Sequence, residues 1–143
     1  MIKQFGIMEE IEAFLVKDIP ARIRCGEHHP SEIAVIYDDK VYGQERFGYD
    51  NRALPMRILR RIKEAGAPIS WVSQDVRAKT AYDINANSVS LISIHSAKGL
   101  EFDLVYLLGM DRIILKRTHL KRLTALVYVG ITRARFRLII PYL

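Results

Sequence analysis

Cysteine occurs once in the 143 residues, at Cys25, which excludes an internal disulfide framework and points to a reducing, cytoplasmic setting. No apolar run nears the roughly 18–20 residues that span a membrane. The first residues alternate apolar with acidic side chains, which is not the pattern of a signal peptide. Glycine (8) and proline (5) are too scarce for a fibrous or linker-like chain. Acidic residues number 16 against 22 Lys and Arg, a formal charge of +6. Such an excess suits a polyanionic partner, although many domains of this size carry it for solubility alone. What is present is ordinary globular material: half the residues are apolar and 27% are charged, enough chain for one domain.

The hydrophobic pattern predicts alternating helices and buried strands. Ile7 to Lys17 reads as an amphipathic helix with Ile7, Ile11, Phe14 and Leu15 inward, Glu9, Glu10 and Glu12 in water, and Pro20 as its end. Glu32 to Tyr37 is a β-branched buried strand, followed by a polar stretch from Asp38 to Asp50. Arg52 to Ala65 is helical, with Leu54, Ile58, Leu59 and Ile62 on one face and Gly66 as the stop. Short strands follow at Ile69–Val72, Val89–Ile94 and Leu104–Leu108, then a helix from Thr118 to Gly130 facing Leu120, Leu123 and Val127 inward. A last strand at Phe136–Ile140 is closed by Pro141, and Asp75 to Asn87 is ambiguous. This alternation predicts a single α/β domain over residues 1–143 with a largely parallel sheet.

Two stretches carry chemistry. Ser93-Ile94-His95-Ser96-Ala97-Lys98-Gly99-Leu100-Glu101-Phe102 delivers a hydroxyl, an imidazole, an ammonium and a carboxylate just after an apolar strand, where ligands bind in open α/β sheets. Gly99 allows backbone to approach a phosphate closely. The second is Tyr128-Val129-Gly130-Ile131-Thr132-Arg133-Ala134-Arg135. Its two arginines, at i and i+2, do not share a helical face. Each stretch taken singly also reads as ordinary solvated loop and helix-end cations.

Taken together, ISIHSAKGLEF followed by LVYVGITRAR resembles motifs V and VI of superfamily 1 helicases of the UvrD/Rep/PcrA type. The likeness is strong from Ser88 to Leu143 and loose over Glu32 to Trp71, where motif IV would lie. It implies a RecA-like fold and the second motor domain, usually called 2A. By the resemblance, Arg133 is the arginine finger that reaches ATP bound on the other motor domain, where a guanidinium forks onto phosphate oxygens. Glu101 matches a nucleotide-contacting glutamate near the ribose, and Gly99 lies in the same loop. Ser93 and His95 match positions near the single-stranded DNA backbone, with Lys98 able to serve either phosphate. The family usually has Tyr-Arg after the motif IV strand, whereas here Tyr37 is followed by Asp38-Asp39, with Arg46 and Arg52 as substitutes. Only Ser73 to Asn87 could hold the family's 2B insertion, so that insertion is expected to be missing.

The chain contains no G-x-x-x-x-G-K-[ST] phosphate loop: Lys98-Gly99 is in the wrong order, and no Asp-Glu pair follows a strand. The resemblance therefore implies half of a composite ATP site. The phosphate cradle and Mg²⁺ ligands would belong to an N-terminal RecA-like domain of the same, longer protein. The other reading is a RecA-like module that binds DNA or protein without turning over ATP. His28-His29 reads as an exposed loop pair with no further ligand at metal spacing, so no metal site is expected. Trp71 reads as core rather than base-stacking. Arg57, Arg60, Arg61 and Lys63 read as a solvated basic face. Lys116, Arg117, His119, Lys121 and Arg122 form a denser cluster suited to a phosphate backbone.

Overall fold

The computed structural model describes residues 1–37, 53–72, 87–109 and 128–142, with backbone alone at 53 and 54. Six strands form one sheet: β1 (Ile2–Gln4), β2 (Ile33–Tyr37), β3 (Ile69–Val72), β4 (Val89–Ser93), β5 (Phe102–Leu107) and β6 (Ala134–Tyr142). They lie in the order β1-β6-β5-β2-β4-β3, and every pairing is parallel. Helix α1 (Met8–Arg24) precedes β2, α2 (Ala53–Glu64) precedes β3, and a helical run at 128–132 leads into β6. The expected α/β class with a parallel sheet is the one found.

The central strands are mostly apolar, Ser90, Ser93 and Asp103 apart, because both faces of the sheet are covered. Ile33, Val35 and Tyr37 of β2 pack with Ile11, Leu15 and Ile19 of α1 and Ile58 and Ile62 of α2. The alternate residues Ala34 and Ile36 face a second core with Ile92, Val105 and Leu107, closed by Ile94, Ala97 and Phe102. One helix layer thus covers one face, and the segment after β4 covers the other.

α1 does not end at Pro20. It runs on to Arg24, with Ile19 and Pro20 buried. Proline forfeits one backbone bond, but the Arg22–Asp18 ion pair (2.8 Å) spans it and the apolar face continues past it. The stop is Gly26 instead. At φ +76° its N–H reaches the Ile23 carbonyl, and the Glu27 N–H reaches that of Arg22, a Schellman closure. Ile7, expected inward, is exposed, and Glu12, expected in water, is only 2% exposed. Its carboxylate accepts hydrogen bonds from Arg57 (2.5 Å) and Arg61 (2.9 Å), so half of the basic face expected to be solvated ties α2 to α1. Asp18 accepts a hydrogen bond from the Tyr106 hydroxyl (2.5 Å), which anchors the far half of α1 to β5. Burial, reinforced by this bond to Asp18, holds the Tyr106 phenol well above its ordinary range.

Three further boundaries differ from the sequence pattern. β5 starts at Phe102 rather than Leu104, β6 runs from Ala134 to Tyr142 through Pro141, and β1 was not foreseen. Pro141 is tolerated because the Ile140 N–H is directed to Met1 of the neighbouring edge, which turns residue 141 toward β5. There it lies beyond the last register pair, Tyr106 with Ile139, so no ladder bond is lost. The last helix extends through Gly130 to residue 132, while Leu120, Leu123 and Val127 lie outside the described residues. So do Asp38, Asp39, Arg46, Arg52, the cluster from Lys116 to Arg122, and the stretch from 73 to 86 that would hold an insertion. Among the described residues no helix is long and apolar enough to cross a membrane.

Candidate functional site

The two chemistry-bearing stretches are brought together by the second core. After β4 the chain turns at once: the Ala97 N–H bonds the Ser93 carbonyl (2.9 Å), and the Ser96 N–H bonds the Ser93 hydroxyl (3.2 Å). Ser93 is therefore buried, and its hydroxyl holds the turn. Within that turn His95 is half-buried, with Nε2 shielded and unpartnered, and the Ser96 hydroxyl is likewise shielded and unpartnered. Lys98, Gly99 and Glu101 are exposed, with Gly99 at φ +87°, where a side chain would be strained.

The segment then descends the sheet. Ser93 stands level with Tyr37 at the carboxyl edge, whereas Phe102 pairs with Ala134 at the amino edge. Roughly six strand residues, about 20 Å, separate the two levels. The sequence placed Ser93, His95, Lys98, Gly99 and Glu101 at one strand–loop junction and Arg133 at the end of a helix. The structure divides them: Ser93 and His95 lie at the carboxyl edge, while Glu101 and Arg133 lie at the amino edge.

Arg133 is held where residues 128–132 meet β6. Its main-chain carbonyl accepts from the Phe102 N–H (2.8 Å). Its guanidinium donates to the carbonyls of Val129 and Leu100 and to the Thr132 hydroxyl, each at 3.1 Å. It is half-buried. Arg135 turns elsewhere, its Nη2 lying 2.6 Å from Asp103 Oδ1. The expectation that the two arginines diverge holds in this geometry.

Gly130 sets the spacing between the two stretches. A Cβ there would sit 2.9 Å from Leu107 Cδ1 and 3.1 Å from Ile94 Cδ1, both in the buried core. Gly130→Val is therefore expected to destabilise the domain by about 1–3 kcal/mol through overpacking. Urea unfolding checks this, and an unchanged midpoint would contradict the close approach.

The sequence profile of the UvrD-like helicase C-terminal domain matches residues 69–143, more than half of the chain. The chain belongs to that family. This UvrD-like domain is 33% identical over 96 residues to the ATP-dependent DNA helicase Rep of Buchnera aphidicola subsp. Schizaphis graminum, a match over 62% of the chain and 14% of Rep. It is 43% identical over 61 residues to UvrD1 of Mycobacterium leprae (38% of the chain, 8% of UvrD1). To PcrA of Bacillus subtilis it is 36% identical over 55 residues (34% and 7%). The match thus covers a small part of each of these relatives. The crystal structure of the C-terminal domain of a possible DNA helicase from Lactobacillus plantarum WCFS1 shares the fold, with a TM-score of 0.66 at 18% identity over 99% of this chain and 72% of that one.

The side-chain network was the part of the site least visible in the sequence. Trp71 Nε1 donates to the Tyr37 hydroxyl (2.6 Å) and the indole packs on the first core, so Tyr37 at the end of β2 is fastened to β3. His28 is half-buried rather than exposed, and Glu32 and Asp103 stand beside it. Glu32 lies four residues from His28, but Asp103 is too remote in sequence for any spacing to join it to them. A Glu32-to-Asp103 adjacency follows only from the β2–β5 register, in which Ile33 pairs with Leu104.

Proposed function

We propose that this domain is the second motor half of an ATP-dependent DNA helicase or translocase, inactive alone. In this reading Arg133 is the arginine finger of a composite ATP site. The observation that carries it is the placement of Arg133: half-buried at the amino edge, backbone-locked to Phe102, with its guanidinium at the segment that bears Gly99 and Glu101. Those groups suit the outer side of a nucleotide, a fixed cation for phosphate and a carboxylate for ribose hydroxyls. The chain has no phosphate loop, so the cradle and Mg²⁺ ligands are assigned to an N-terminal RecA-like domain. ATP supplies the γ-phosphate whose developing charge Arg133 would stabilise.

His95 and Lys98 are assigned to single-stranded DNA at the other end of the same descending segment, with Ser93 shaping the turn that presents His95. A rigid segment about 20 Å long then joins the DNA grip to the nucleotide edge, and closure at one end can shift the other. The relatives Rep, UvrD1 and PcrA, all ATP-dependent DNA helicases, support this reading.

Fluorescence anisotropy with a single-stranded oligonucleotide tests it. The purified chain is expected to bind weakly, with affinity falling roughly tenfold between 50 and 200 mM salt, as for two or three backbone contacts. His95→Ala and Lys98→Ala should each weaken binding, and His29→Ala should not. No ATP turnover is expected, with or without DNA. Salt-independent binding, or DNA-stimulated turnover by this chain alone, would overturn the assignment.

A further inference from the structure

At the amino edge of the sheet, two stretches distant in sequence converge, 28–32 and the start of β5. His28 follows α1, Glu32 ends the 3₁₀ turn Pro30–Glu32, and Asp103 lies near the start of β5. One ligand atom from each lies within 4.8 Å of the others, and all three residues are half-buried. We propose that His28, Glu32 and Asp103 form a binding site for a zinc-like divalent transition-metal ion.

The geometry is that of a nearly closed ligand set. His28 Nδ1 and Glu32 Oε2 are 3.4 Å apart. Two ligands each about 2.1 Å from a tetrahedral ion stand about 3.4 Å from one another. Asp103 Oδ1 is shielded from solvent and has no aligned hydrogen-bond donor, although Arg135 Nη2 is 2.6 Å away. Arg135 neutralises that oxygen in the metal-free chain, and a metal ion would take its place. Arg135 is half-exposed and can release Asp103 into water as the ion enters.

The donor set selects the ion. One imidazole nitrogen with two carboxylate oxygens suits zinc, cobalt or manganese. Calcium takes six to eight oxygens and magnesium an octahedral oxygen shell, so neither fits an imidazole-led trio. Two carboxylates and a neutral imidazole balance a divalent charge, and a fourth position is left for water. Residues on either side fix the ligands. Glu32 and Asp103 are set side by side by the β2–β5 register. Asp103 lies at the irregularity between Phe102 and Leu104, where two steps of β5 face three of β6.

The site shares the amino edge with the residues assigned to ATP, but its test reads metal binding alone and does not depend on that assignment. The chelator-treated 143-residue chain is titrated with Co²⁺ and, separately, Zn²⁺. Co²⁺ is expected to produce visible d–d absorption at one equivalent, and Zn²⁺ to raise the melting temperature. Glu32→Gln, at a side chain 39% exposed and so tolerant of change, should weaken binding by more than about tenfold. His28→Gln and Asp103→Asn should do the same, while His29→Gln, whose Nδ1 pairs with Ser31, should bind as the parent does. Absence of both the absorption and the thermal shift overturns the proposal. So does binding that survives Glu32→Gln and Asp103→Asn, or that His29→Gln weakens as much as His28→Gln.

Discussion

With this domain joined to the proposed N-terminal RecA-like domain, Arg133→Ala is expected to lower ATP turnover by about 10³–10⁵-fold while leaving nucleotide affinity within a few-fold of the parent. The reason is differential binding. A guanidinium that meets the γ-phosphate only in the closed state stabilises the transition state more than the ground state. Among the described residues the guanidinium makes three internal contacts, to two backbone carbonyls and one hydroxyl, each at 3.1 Å. These neutral acceptors aim the side chain without neutralising it, so the charge remains available to a phosphate. Arg133→Lys should rescue poorly, because an ammonium has no fork to span two oxygens. Arg135→Ala is the internal comparison. That side chain is paired with Asp103 and directed away from Arg133, so its loss should leave turnover within a few-fold of the parent. Steady-state turnover and nucleotide titration on the three variants decide the matter. An essential Arg135 beside a dispensable Arg133 would shift the catalytic assignment by two residues.

Removing both Arg57 and Arg61 is expected to destabilise the domain by about 3–5 kcal/mol, because it leaves a buried carboxylate unpaired. Glu12 is 2% exposed, and its two oxygens take one arginine each, at 2.5 and 2.9 Å. Either arginine alone still compensates the charge, so Arg57→Ala and Arg61→Ala singly should cost much less than half of the double change. The arginine side chains are about one-third exposed, so water can solvate them when Glu12 is removed. Glu12→Met is therefore expected to be near neutral in the parent, and to restore most of the stability lost in the Arg57→Ala/Arg61→Ala background. Thermal melting checks it: about 2–4 °C per kcal/mol for a domain of this size gives the double variant a drop of roughly 6–20 °C. Additive single and double effects, or failure of Glu12→Met to rescue, would show that Glu12 is not the seat of the penalty.

The elements that were legible were those whose signal is local. β2 and β4 are rich in β-branched and aliphatic residues, broken only by small serines and a closing tyrosine, and were readable because a parallel sheet buried on both faces asks for apolar character. α2 was readable from its one apolar stripe and from Gly66, which ends it at φ +94°. The two functional stretches were legible as motifs, since residue type and spacing are properties of the chain itself.

What failed were inferences that needed a neighbour. Pro20 is a helix breaker by propensity, yet α1 passes through it because the core takes up Pro20 itself and Ile23 beyond it. Glu12 reads as a solvated carboxylate until α2 delivers two guanidinium groups to it from residues 45 and 49 positions away.

By itself, then, the sequence determined the α/β class, the family and the residue types available for chemistry, because these rest on periodicity, composition and motif order. Only the tertiary structure decided which groups meet. Parallel register, not sequence spacing, sets which residues share an edge of the sheet. It therefore separated His95 from Arg133 along one segment, turned Arg135 away from Arg133, and set Glu32 beside Asp103.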